Sequence, residues 1–201
     1  MGLCYGYDIV AERSTANDMV RAVAQHLEPR VRRAVLEAVE REDPAPLATG
    51  VAEVDQNASL DLEDGAGASS CLVLQLAAEA SQDRKIGCVW TSLRLGVAYA
   101  HLSMGAATSL MSARFESDPD VKRVVMTICR EGGALLAVLD VEEPSPVALW
   151  PAPGRIEPDP EAYDLEDAGL TGDALKAAET DAFCAELLRA AARDLEGADD
   201  R

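Results

Sequence analysis

Two apolar runs that meet at a single glycine, Ile86 to Leu95 and Val97 to Met104, constrain the fold of this chain more than any other feature. Both read as strands. With only Gly96 between them they lie side by side as an antiparallel hairpin. A further strand is expected over Ser70 to Ala77, with Leu72, Leu74 and Leu76 on one face, after a turn at Asp64-Gly65-Ala66-Gly67. Ala134 to Val141 is the most apolar strand, and Val147 to Trp150 is placed to pair with it across Pro144-Ser145-Pro146. The chain opens on another strand, Leu3 to Val10, in which Tyr5, Tyr7 and Ile9 share a side.

Helical spacing fills the gaps between these strands. Ser14, Thr15 and Asn17 offer caps for a helix whose Met19, Val20, Val23, Ala24 and Leu27 form one stripe. Pro29 interrupts it, and Arg30 to Arg41 reads as a second helix with Val31, Ala34, Val35, Ala38 and Val39 inward. Gly105 begins a helical stretch in which Leu110, Met111 and Phe115 share a face, its small residues suited to close packing on a sheet. Ser117-Asp118-Pro119-Asp120 starts another helix, with Val121, Val124, Val125 and Ile128 as its buried stripe and Gly132-Gly133 as its end. The expectation is an α+β fold, a mainly antiparallel sheet packed against helices, as a single domain of residues 1–150. Residues 151–201 add an acidic, proline-rich connection and a C-terminal helix near Gly172 to Leu195, packed on the core or extending from it. Glu42 to Gly50 reads as a linker, and Val51 to Leu62 as holding one weak strand.

Composition supports one domain. At 201 residues a chain buries roughly 70% of the surface its unfolded form exposes. The apolar share of 48% makes a core of Val, Leu, Ala and Met, since Trp, Tyr and Phe number two, four and two. No apolar run reaches the roughly 20 residues that span a bilayer. Met1-Gly2-Leu3-Cys4-Tyr5 lacks a secretory pattern, and Gly6 stands where myristoylation prefers Ser or Thr, so a cytoplasmic protein is expected. The cysteines, Cys4, Cys71, Cys88, Cys129 and Cys184, are widely spaced, odd in number and without a Cys-x-x-Cys pair. They read as buried free thiols, and no metal or cofactor is implied.

Charge narrows the partners. The chain carries 36 acidic and 18 basic residues, a net of −18, and residues 142–201 hold 16 of the carboxylates against five Lys and Arg. Residues 1–42, with seven acidic and six basic side chains, are near neutral. Such a field repels nucleic acid and anionic membranes and attracts basic protein surfaces.

The stretch Ile86-Gly87-Cys88-Val89-Trp90, the run Ala106-Ala107-Thr108-Ser109-Leu110-Met111-Ser112-Ala113-Arg114-Phe115-Glu116, Gly132-Gly133 and the strand ending Leu139-Asp140 look like a group of small uncharacterised actinobacterial proteins. Those proteins open similarly, with Met-Gly and an aromatic strand resembling Tyr5-Gly6-Tyr7-Asp8-Ile9. The likeness covers residues 86–150 and the first ten. Its motifs serve packing, so it implies a fold and transfers no catalytic residue.

Candidate chemistry stands on individual residues. Asp140, Glu142 and Glu143 offer oxygens to a divalent cation, but a solvated strand end is the favoured reading. His101 shares a strand face with Tyr99 and Ser103 and is expected to be a hydrogen-bonded, semi-buried histidine, with no nucleophile beside it. Gly65-Ala66-Gly67-Ala68-Ser69-Ser70 lacks the ending of a phosphate loop and precedes a strand. No catalytic residue is assigned. The run Glu157 to Asp167 is read either as a solvated linker or as a partner-binding segment in which Asp159, Glu161, Asp164, Glu166 and Asp167 steer a basic protein while Tyr163 and Leu165 anchor it. The expected function is that of an acidic protein-binding module, an immunity or inhibitor protein that occludes the active cleft of a basic toxin or enzyme. The alternatives are an enzyme or small-molecule binder with a site near Trp90, His101 and Asp140, and a homo-oligomeric structural protein; a homodimer stays open.

Overall fold

The computed structural model describes residues 5–27, 29–41, 68–75, 85–106, 109–141, 146–159 and 170–199. Seven strands form one sheet: β1 (Gly6–Glu12), β2 (Ala68–Gln75), β3 (Lys85–Leu95), β4 (Tyr99–Ala106), β5 (Ala134–Asp140), β6 (Val147–Trp150) and β7 (Gly154–Arg155). Their order is β2-β3-β4-β1-β5-β6-β7, with each neighbouring pair antiparallel. The helices are α1 (Ala16–Ala24), α2 (Pro29–Arg41), α3 (Ser109–Ser117), α4 (Pro119–Glu131) and α5 (Gly172–Asp199). Setting aside the outer strands β2, β6 and β7 and the helices α2, α3 and α5, the remaining β1-α1-β3-β4-α4-β5, with β1 between β4 and β5, has the split β-α-β arrangement of a ferredoxin-like core.

Strand alternation divides the side chains between two faces. Tyr7, Ile9, Ala100, Leu102, Met104, Ala137 and Leu139 point to one face, where the stripes of α1 (Met19, Val20, Val23) and α4 (Val121, Val124, Val125, Ile128) cover them. Tyr7 and Phe115 close the end of this core, with ring centroids 4.9 Å apart and the Tyr7 hydroxyl donating to the Phe115 carbonyl. Burial pushes the Tyr7 phenol far above its usual range, and Asp118 adds to the effect. The opposite face holds a smaller cluster in which Val10, Leu136, Val138, Ala148 and Ile156 meet Cys184, Leu187 and Ala190 of α5. The C-terminal helix is therefore packed on the sheet. It forms a third layer and does not project from the core.

Local signals explain most boundaries. Asp118 caps α4 by accepting the Asp120 amide at 2.9 Å, Pro119 takes the first turn, and Gly133 at φ +68° ends the helix in a conformation that few side chains adopt. The stripe Met19, Val20, Val23, Ala24 and Leu27 is buried as expected. Several expectations shift: the strand expected from Val97 begins at Tyr99, with Gly96 to Ala98 forming the turn, and the one expected from Ser70 begins at Ala68. The first strand begins at Gly6 and runs on to Glu12, because pairing with both β4 and β5 extends it. Gly105 and Ala106 remain in β4, where they pair with Gly6 and Val89, so the following helix starts only at Ser109. Thr15 makes no side-chain cap for α1; its hydroxyl donates to the Glu12 carbonyl. The linker at 42–50, the weak strand at 51–62, the turn at 64–67 and Glu142 and Glu143 lie outside the described residues. Among the described residues no helix is long and apolar enough to cross a membrane.

Candidate protein-interaction surface

The described start of the acidic segment, Glu157 to Asp159, is held on α5 by a buried clamp. Pro151, Pro153 and Pro158 keep residues 151–159 out of helix. Within this stretch Gly154–Arg155 adds β7 to the sheet edge, and Ile156 is buried with its amide on the Pro146 carbonyl at 3.1 Å. Three residues on, Asp159 donates its backbone N–H to Glu186 Oε1 at 2.9 Å. Arg193 Nη2 donates to the same oxygen at 2.9 Å and to the Glu157 carbonyl at 3.1 Å. Arg189 Nη1 forms an ion pair with Glu186 Oε2 at 2.6 Å, off the angle of a hydrogen bond.

The Glu186 side chain is 0% exposed, whereas those of Arg189 and Arg193 are 57% and 55% exposed. A carboxylate taken out of water without partners would be very costly. Burial alone would raise the Glu186 carboxyl. The Asp159 amide and the two guanidinium groups more than offset this and hold it below the usual carboxylate range. Helix geometry explains the convergence: positions three and seven residues after Glu186 return to the same side of α5. The side chain of Asp159 itself is exposed. Glu161, Tyr163, Asp164, Leu165, Glu166 and Asp167 lie outside the described residues.

One helical turn and a half earlier, Asp181 grips the β3–β4 hairpin. Its carboxylate accepts the amides of Val97 at 2.7 Å, Ala98 at 3.1 Å and Tyr99 at 3.0 Å. A Cβ at Gly96 would fall on the Asp181 carboxylate, so a larger residue there has to displace that acceptor. Between the hairpin tip and the start of α1 lies an open cleft of about 810 Å³ lined by Glu12, Ser14, Asn17, Val97 and Tyr99 among others.

The alternative site does not assemble. Trp90, Gly105, Gly6 and Asp140 occupy one row across β3, β4, β1 and β5, so Trp90 and Asp140 are three strand spacings, about 14 Å, apart. His101 pairs with Val10 four positions along the strands, about 13 Å from that row. It is buried beneath α5, with Nε2 2.8 Å from Asp8 Oδ1 and its ring 4.9 Å from that of Phe183. Cys184 follows Phe183, but burial first, and then Asp181 and Asp8, push its thiol up to about 12, so it is not a thiolate nucleophile at neutral pH. Among the described residues no three His, Cys, Asp or Glu side chains are grouped to hold a metal ion.

Sequence reasoning missed Asp8, Asp181 and Glu186. A signal for Glu186 was present: a carboxylate among the buried positions Cys184, Leu187 and Ala190, followed by Arg189 and Arg193. Comparison of the chain with protein-family models, with curated proteins and with solved structures returned no match.

Proposed function

We propose that this chain is an acidic protein-binding module, an immunity or inhibitor protein that neutralises a basic toxin or enzyme by occluding its active cleft. The observation that carries the reading is the clamp of Glu186 on Asp159. It fixes the start of the most acidic segment to a packed helix, so charges that would otherwise trail from the fold begin at a defined place. A concentration of negative charge raises encounter rates with a partner of opposite sign. A cationic substrate-binding surface, such as that of an enzyme acting on nucleic acid, is complementary to it. Tyr163 and Leu165, set among the carboxylates, supply apolar contact once encounter has occurred. The same reading places the protein in the cytoplasm, beside a partner it must silence.

Affinity capture from the native lysate, washed at about 0.05 M and then about 0.5 M salt, tests it, because salt screens exposed charge pairs far more than packed contacts. Retention of one basic protein in stoichiometric amount through both washes is the expected result. Recovery of the chain alone overturns the reading.

A further inference from the structure

Three consecutive backbone N–H groups at the β3–β4 turn converge on one carboxylate, that of Asp181. Val97 donates to Oδ2 and Tyr99 to Oδ1, while the Ala98 amide lies 3.1 and 3.3 Å from the two oxygens. A run of amides turned to one point makes a concavity for an anion. The acceptor comes from α5, 82 to 84 residues along the chain, whereas the turn is shaped by other contacts. The Gly96 amide reaches the Tyr99 carbonyl at 2.8 Å. Arg13 holds the far side, its amide on the Ala98 carbonyl at 2.9 Å and its guanidinium on the Gly96 carbonyl. The three donors are therefore set before any oxyanion meets them, which lowers the cost of binding one. Gly96, with no side chain, lets the carboxylate lie against the backbone. Val97 and Ala98 are exposed, so a ligand from solvent can reach the same donors.

We propose that the β3–β4 turn is a carboxylate-binding site that the chain fills with its own Asp181, a self-ligand that shuts the site while α5 is docked. The inference stands apart from the proposed function. An external carboxylate at the turn and α5 held through Asp181 exclude each other, because both need the same three amides. The spacing selects a carboxylate over a spherical ion. Two oxygens on one carbon serve Val97 and Tyr99 at once, at 2.7 and 3.0 Å, with Ala98 between them. Chloride offers a single centre and cannot serve all three equally.

The test is acetate binding by the full-length chain and by its Asp181→Ala variant, read from the amide resonances of Val97, Ala98 and Tyr99, with chloride keeping the ionic strength constant. In Asp181→Ala these three amides are expected to shift saturably up to about 0.5 M acetate at fixed screening. The Gly132 amide, already bonded to the Ile128 carbonyl at 2.8 Å, is the control and stays in place. The parent chain is expected to bind acetate at least about 10-fold more weakly, because only the fraction with Asp181 withdrawn is competent. If Asp181→Ala loses its native spectrum, Asp181→Asn replaces it under the same criteria, since its uncharged amide turns N–H groups as well as an oxygen toward the turn. Equal affinity in parent and variant, unmoved amides at Val97 to Tyr99 in the folded variant, or the same shifts with chloride alone each overturn the proposal.

Discussion

Asp159 donates its backbone N–H to the buried carboxylate of Glu186 across 27 residues of sequence, at 2.9 Å. This contact ties the proline-rich connection to the C-terminal helix. Its consequences are measurable without knowledge of the partner.

The first concerns acid. A carboxyl held below its usual range in the folded state contributes stability that is fully present above the unfolded pKa of about 4.3 and is lost as pH falls through the folded value. Glu186 is such a group, and so is Asp118, which burial would raise but which the Arg114 side chain and the Asp120 amide lower. Glu186→Gln removes one of them. Urea melts of this variant are expected to show reduced stability at pH 7 and a shallower loss below about pH 4.3 than the parent chain. Parallel pH profiles would mean that the clamp does not contribute.

A double-mutant cycle addresses the hairpin grip. Asp181→Gly leaves three amides without their acceptor and is expected to cost about 1.5–4.5 kcal/mol, at about 0.5–1.5 for each hydrogen bond. Gly96→Ala pushes the Asp181 carboxylate away and should cost a similar amount in the parent chain. In the Asp181→Gly background the same alanine should cost little. Additive effects in thermal or urea unfolding would show that the two residues act independently.

Thiol chemistry reports the burial of two cysteines. Burial raises both Cys129 and Cys184 to about 12, so each is protonated at pH 8. Both are expected to resist an aromatic disulfide reagent in the native state and to react in about 6 M guanidinium. Fast native labelling of Cys184, located by peptide mass, would show that α5 leaves the sheet readily.

Core packing supplies a magnitude. Phe115→Ala opens a cavity beside Tyr7 and takes away one side of the 4.9 Å ring contact. The expected loss is about 3–5 kcal/mol by chemical denaturation. Leu187→Ala, in the smaller cluster under α5, is expected to cost about 2–5 kcal/mol if that layer unfolds with the rest.

Much of the element order was legible in the sequence because the elements are separated by unambiguous punctuation: Gly96 between β3 and β4, Asp118-Pro119 between α3 and α4, and Gly132-Gly133 between α4 and β5. The stripe of α4 was legible because four apolar residues recur at helical spacing. Beyond the periodicity, strand order was not, since β1 enters the sheet between β4 and β5 through contacts far apart in the chain. Gly105 misled because glycine and small residues suit a helix start as well as the end of a central strand. Asp8 and His101 could be assigned to a sheet face, but their 2.8 Å contact depends on the β1–β4 register. The acidity of the candidate surface was visible at once. Its attachment at Glu186 was not, because a buried carboxylate is recognisable only when its guanidinium partners and the Asp159 amide are seen to converge.

The central claim is that carboxylates beginning at Asp159 steer a basic partner. The most direct measurement is the association rate of the captured partner with the parent chain and with a variant carrying Asp159→Asn, Glu161→Gln, Asp164→Asn, Glu166→Gln and Asp167→Asn. At about 0.05 M salt the variant should associate about 10-fold more slowly, with the difference shrinking at about 0.5 M and the melting temperature unchanged. An unchanged association rate at low salt would contradict the claim.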